Sequence, residues 1–129
     1  MATVLTNSGR DIITNRLKGS GTEPLYVGWG TGSGTASATD TTLFTERDTD
    51  LSSAGPNRTV GTSTRVTTSV TNDTYQVVAT RTATGAGTVT NAGTFDAASG
   101  GNLFVKGDFT GIGLSSGDSI QFTIKLQFT

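Results

Sequence analysis

The clearest pattern of apolar and polar positions lies at the end of the chain. Ile120, Phe122, Ile124, Leu126 and Phe128 alternate with Ser119, Gln121, Thr123, Lys125 and Gln127, the period-two signature of a strand with one buried and one solvated face. This predicts a well-paired strand over 119–128 with its five apolar residues in the core. Upstream, Val60, Val66 and Val70 share one parity, although Thr62 and Thr64 dilute that face. Asn72-Asp73 then supplies turn chemistry before YQVVATRTA, so residues 58–83 read as a β-hairpin. TVTNAGTFD places Val89, Gly93 and Phe95 on one side, NLFVKGDFT places Leu103, Val105 and Phe109, and AASGG between them is a turn signal. PLYVGWG, with Leu25, Val27 and Trp29 on one side, gives an earlier strand, and TLFTE a weak one.

A different period shows near the start. Ile12, Ile13 and Leu17 share a helical face, Ser8 can cap the helix with Asp11 three residues on, and Gly19 can stop it. A short helix is predicted at about 9–18, within 8–19. Residues 1–7 show no periodicity, and Ala2, Thr3, Val4, Leu5, Thr6 and Asn7 read as an arm able to order on a partner. Residues 24–129 supply the strands. The fold class expected is mostly β: an antiparallel β-sandwich or jelly roll of about six to eight strands with one short N-terminal helix, because an apolar sheet face must be covered by another layer.

Composition agrees with that expectation. Threonine is about a fifth of the chain, glycine numbers 18, and neither favours helices. At 129 residues the chain reads as one domain with one core. There is no internal repeat. Nine basic against ten acidic residues give a net charge of −1, which provides no electrostatic footprint for nucleic acid. MATVLTNSGRD lacks the charged start and apolar run of a signal peptide, and no run of eighteen apolar residues occurs, so neither secretion by signal nor membrane spanning is expected. Synthesis in the cytoplasm follows.

Cysteine and histidine are both absent, which removes thiol nucleophiles, zinc sites, the usual general base and disulfides together. Ten carboxylates remain, but none has a context that nominates a glycosidase pair, and no enzyme activity or cofactor is expected. The stretch GWGTGSGTASATD, Gly28 to Asp40, is rich in glycine yet matches neither phosphate-binding pattern. Ser33 or Thr35 stands where a third glycine is needed, and no Gly-Lys-Ser/Thr follows. It reads as a flexible loop. Glu46-Arg47-Asp48-Thr49-Asp50 offers oxygens at alternate positions for Ca²⁺, but lacks the turn glycine and closing Glu of an EF-hand, so a solvated loop is favoured. Lys106-Gly107-Asp108 resembles an integrin-reading tripeptide but falls in a predicted strand. Asn57-Arg58-Thr59 and Asn72-Asp73-Thr74 match the glycosylation acceptor pattern, which means little without a signal peptide. Trp29, Tyr26 and Tyr75 suit a core better than a stacking platform.

The order of segments is familiar: a short helix (SGRDIITNRLKG), a strand LYVGWGTG, a Thr/Ser/Gly loop, a Thr-rich hairpin, AGTFDAASGGNLFVKGDF, and a terminal strand opened by SGDSIQFTIKLQF. This order resembles a group of small bacteriophage structural proteins, capsid decoration (cement) proteins or tail-fibre-like proteins, over nearly the whole chain. Ala92 to Phe109 is the most specific piece. The resemblance implies a virion component without enzymatic activity. Its implied partner is the major capsid protein of the assembled shell, bound at the outer capsid surface by a homotrimer. A tail-associated or fibre-like receptor-binding module is the alternative.

Overall fold

A computed structural model describes residues 2–129. Two antiparallel sheets form the sandwich, and one helix stands near its start. The elements are β1 (Thr3–Leu5), α1 (Asn7–Lys18), β2 (Tyr26–Gly30), β3 (Glu46–Arg47), β4 (Thr59–Val60), β5 (Thr62–Val66), β6 (Thr74–Thr82), β7 (Gly87–Phe95), β8 (Leu103–Leu114) and β9 (Ser119–Gln127). The larger sheet runs β1-β8-β7-β2-β3, with β4 sharing the outer edge of β2; the smaller runs β5-β6-β9. Every ladder between these strands is antiparallel. The sandwich and the helix match expectation, and so does the hairpin between β5 and β6, but Thr59–Val60, read as its start, pairs with β2 in the larger sheet, and Val60 and Val70, read on its apolar face, are exposed. The strand number exceeds that expected because β1, β3 and β4 are two or three residues long, too short to show a period.

Between the sheets, Val27 meets Val77 and Ala79, and Trp29 meets Leu51, Ala83, Val89 and Leu114. Ile12 of α1 joins Phe104 and Val105 in a third cluster. Leu43, Phe95 and Leu103 form a fourth. Leu43 and Phe44, expected in a weak strand, lie in the loop before β3. There Leu43 is buried against β7 and β8. That cover explains why Leu103, Phe104, Val105 and Lys106 are buried in succession, where a one-sided strand alternates.

Two expectations about the ends of the chain are corrected. Of residues Ala2–Asn7, read as an arm, Thr3–Leu5 are built into the larger sheet, where Thr3 pairs with Gly107 and Leu5 with Val105, Thr6 caps α1 and Asn7 opens it. Asp108 N–H donates to Ala2 O at 2.9 Å. The strand was invisible to periodicity because three residues are less than two periods. At the other end, β9 is an edge strand of a sheet narrower than the one it covers. Ile120, Phe122, Ile124 and Leu126 pack onto the core clusters but stay half-buried, and Phe128 lies beyond the strand and is 55 % exposed.

The helix starts earlier than predicted, and its cap is Thr6, not Ser8. Thr6 Oγ1 accepts from Gly9 N–H at 2.9 Å and donates to Leu103 O at 2.6 Å, so one buried hydroxyl ties α1 to β8. Gly9 is required by that approach, since a Cβ there would sit 2.3 Å from Phe104 O. Gly19 ends the helix in the left-handed conformation, as expected. Thr6→Ala is expected to cost about 1–2 kcal/mol, the usual cost of a lost cap, and Thr6→Ser to recover most of it. Urea titrations of the two variants check this, and a Thr6→Ala protein as stable as the parent would refute the capping role.

Candidate functional site

Three side chains that carry positive charge are drawn into the fold, which the sequence did not announce. Arg81 and Lys106 are each 1 % exposed, and the Arg58 side chain 4 %. Lys106 Nζ donates to Asp40 Oδ2 at 2.9 Å and to Thr42 O at 2.8 Å, and lies 3.3 Å from the centre of the Phe44 ring. Its ammonium holds the Asp40 carboxyl below the ordinary carboxylate range, with help from Ser37 N–H. Arg81 Nη1 donates to Val27 O, Asn57 O and Thr59 Oγ1. Among the described residues its Nε and Nη2 have no hydrogen-bond partner. The guanidinium instead stands 4.7 Å from the Trp29 ring centre, and burial lowers its pKa to about 10.

The 46–50 segment, read as a solvated loop, opens with β3 and is half-buried. In the 46–50 cluster each carboxylate serves its own partner. Glu46 holds Arg58 at 2.8 and 2.9 Å, Asp48 accepts from Asn57 Nδ2 at 2.8 Å, and Asp50 accepts from Ser52 Oγ at 2.7 Å. Among the described residues no three His, Cys, Asp or Glu side chains converge to hold a metal ion. Gly28 and Gly30 belong to β2, and the loop after it is tied down: Ala36 N–H donates to Asp108 Oδ2 at 2.7 Å and Ser37 N–H to Asp40 Oδ2 at 3.0 Å. Gly30 is needed for close approach, because a Cβ would lie 2.2 Å from Phe44 O. Lys106 of the Lys-Gly-Asp tripeptide is interior. Trp29 is buried and donates from Nε1 to Asp48 O at 2.8 Å.

One concave part of the surface is largely apolar. A groove of about 370 Å³ runs between α1 and the end of β9, floored by Tyr75, Phe104 and Leu126 and flanked by Ile13, Leu17 and Phe128. Leu17, read as sharing a helical face with Ile12 and Ile13, is 83 % exposed, while Ile12 is buried. Leu17 misses the core because α1 meets β8 through Gly9 and Ile12, and it points over the groove. Arg16 and Glu23 stand at the rim. Glu23 accepts the Tyr75 hydroxyl at 3.1 Å, and burial, followed by that carboxylate, pushes the Tyr75 phenol well above its ordinary pKa. The phenol therefore serves as a fixed donor. The six residues nominated from sequence do not line this groove: Thr3 and Asn7 are exposed, Ala2, Val4 and Leu5 half-buried, and Thr6 fully buried. Thr6 has no surface to offer a partner. The groove was not nominated, and its one sequence signal was a large apolar residue, Leu17, among the polar residues that end the helix.

No protein-family model and no curated protein matches this chain. Among the described residues no helix is long and apolar enough to cross a membrane.

Proposed function

We propose that this chain is a bacteriophage virion structural protein, a capsid decoration protein that binds the outer face of the assembled shell and stabilises it without catalysing a reaction. The observation that carries the reading is the exposed apolar groove flanked by Leu17 and Phe128 on a rigid sandwich. Large exposed apolar groups beside a concave apolar floor mark protein contact surfaces. The resemblance in segment order supplies the virion context. The charged residues support a passive role, since Arg58, Arg81 and Lys106 are occupied in holding loops to strands. In this reading Leu17 and Phe128 enter a recess of the coat lattice.

The test adds purified protein to shells that lack it and measures copies bound and the heat resistance of the particles. Uptake at hundreds of copies with a raised disruption temperature is expected. Leu17→Asp, at a position outside the core, is expected to lower shell affinity at least about tenfold while leaving the melting temperature near that of the parent. Attachment to host cells or tails with no uptake by shells would reject the proposal in favour of a receptor-binding module.

A further inference from the structure

The nine residues of β9 pair with β6 in an unbroken register, from Thr74 opposite Gln127 to Thr82 opposite Ser119. At its two ends the ladder shows which backbone groups face β6: Phe128 N–H donates to Asp73 O at 2.9 Å, and Ala83 N–H donates to Asp118 O at 2.7 Å. Hydrogen-bonding direction alternates along an antiparallel strand. Ser119, Gln121, Thr123, Lys125 and Gln127 therefore turn N–H and C=O away from β6, to an edge that no other strand occupies among the described residues. Edges of this kind are ordinarily protected by proline, bulges, several charges or a covering segment. This one has no proline, no bulge and a single charge, Lys125.

We propose that this edge is a self-association surface: two copies of the chain pair β9 against β9 about a twofold axis at Thr123, joining the two smaller sheets into one. The occupant follows from the strand's complementarity to itself. A twofold axis at Thr123 opposes each residue to the one whose number makes up 246 with its own, so all nine residues find partners and every outward N–H meets an outward C=O. On the core side Ile120 faces Leu126 of the second copy and Phe122 faces Ile124, which continues the half-buried apolar row across the junction. On the solvent side Gln121 faces Lys125, Ser119 faces Gln127, and Thr123 faces its own copy. Like charges are not opposed, and a Thr pair is favourable on a sheet surface. A strand edge paired with itself is isologous and closes as a dimer. The proposal does not rest on shell binding, although the junction adjoins the groove beside α1 at Leu126.

Sedimentation and light scattering of the purified chain are expected to show the mass rising towards twice the 13.2 kDa of the monomer as the concentration approaches roughly 100 µM. Gln121→Lys sets two lysines opposite each other twice per dimer and is expected to weaken it about fivefold, whereas Gln121→Glu tightens it by a similar factor. The difference between the two shrinks in high salt. Both side chains project into solvent, so melting curves measured below the dissociation constant should coincide with the parent. Thr123→Cys, in a chain without other cysteines, is expected to oxidise to a covalent dimer, since directly opposed residues of a hydrogen-bonded pair lie about 5.5 Å apart at Cα. A monomer throughout this range, a trimer, or a dimer indifferent to the charge at position 121 would each overturn the proposal. Shell uptake by a strictly monomeric protein would overturn it while leaving the decoration reading intact.

Discussion

Trp29→Ala is expected to lower the unfolding free energy by about 3–5 kcal/mol, the range for deleting a large aromatic side chain from a packed core. Trp29 is fully buried and joins three kinds of contact. It meets Phe122 edge-on at 6.4 Å between ring centres, packs among Leu51, Val89 and Leu114, and donates from Nε1 to Asp48 O. Its ring also covers the Arg81 guanidinium, so removal leaves buried N–H groups facing a cavity. Trp29→Phe keeps much of the apolar contact and is expected to cost about half as much, the remainder tracing to the lost Nε1 bond and smaller ring. Urea titrations followed by circular dichroism are the measurement, because the variants have lost the chain's single tryptophan. A loss under about 1 kcal/mol for Trp29→Ala would show that the ring is not the keystone between the sheets.

Glu46→Leu is expected to cost about 3 kcal/mol or more, as when one partner of a buried ion pair is removed. Arg58 is held on all sides: by both Glu46 oxygens, by Ala97 O at 2.9 Å and Gly100 O at 2.7 Å, and by the Phe95 ring 3.3 Å from Cζ. This single guanidinium, one residue before β4, ties Glu46 of β3 to the 96–101 turn between β7 and β8. Without the carboxylate the charge stays buried with only carbonyls and a ring to balance it. The double variant Glu46→Leu with Arg58→Met is expected to be more stable than the sum of the single losses, because both charges leave together. Strict additivity in that cycle would show that the pair carries no coupling.

The legible part of the fold was the part whose chemistry is local. The alternation of β9 and the strand containing Val27 and Trp29 follow from period two, while the β5–β6 hairpin follows from the Asn72-Asp73 turn more than from its valines, since Val60 and Val70 are exposed. The helix follows from Ile12, Ile13 and Gly19, although its cap did not. Thr6 and Ser8 are equally good capping types, and the choice between them rests on Leu103 O and Phe104 O, almost a hundred residues away. Burial of the β9 row was overestimated for a related reason: alternation reveals which side of a strand faces the core, but not whether another strand lies beyond it. The interior positions of Arg81 and Lys106 were hidden because a cation inside a strand pattern reads as solvent-facing unless its partners are known. For Lys106 those partners, Asp40 and Thr42, come from a loop with no periodicity of its own. The groove beside α1 depends on the angle at which the helix meets β8, which one-dimensional periodicity does not encode.

The pairing of the first strand with the eighth also bears on how the protein is made. Ala2 bonds to Asp108 across 106 positions, and Thr6 bonds to Leu103 across 97. A ribosome adds about 5–20 residues per second, so β1 and α1 wait roughly 5–20 s for the strand they need. During that interval Leu5 and Ile12 have no native surface to cover them. Among the described residues the long ladder of consecutive strands that can close early is the β5–β6 hairpin, and even it cannot pack until Val27 and Val77 are held by their own neighbours. High contact order of this kind slows folding and lengthens exposure to aggregation. Nascent chains arrested before residue 103 should therefore be protease-sensitive from their first residues onward and depend on chaperone holding. Release of β8 from the exit tunnel is the step that turns the N-terminus from a cleavage target into part of the sheet.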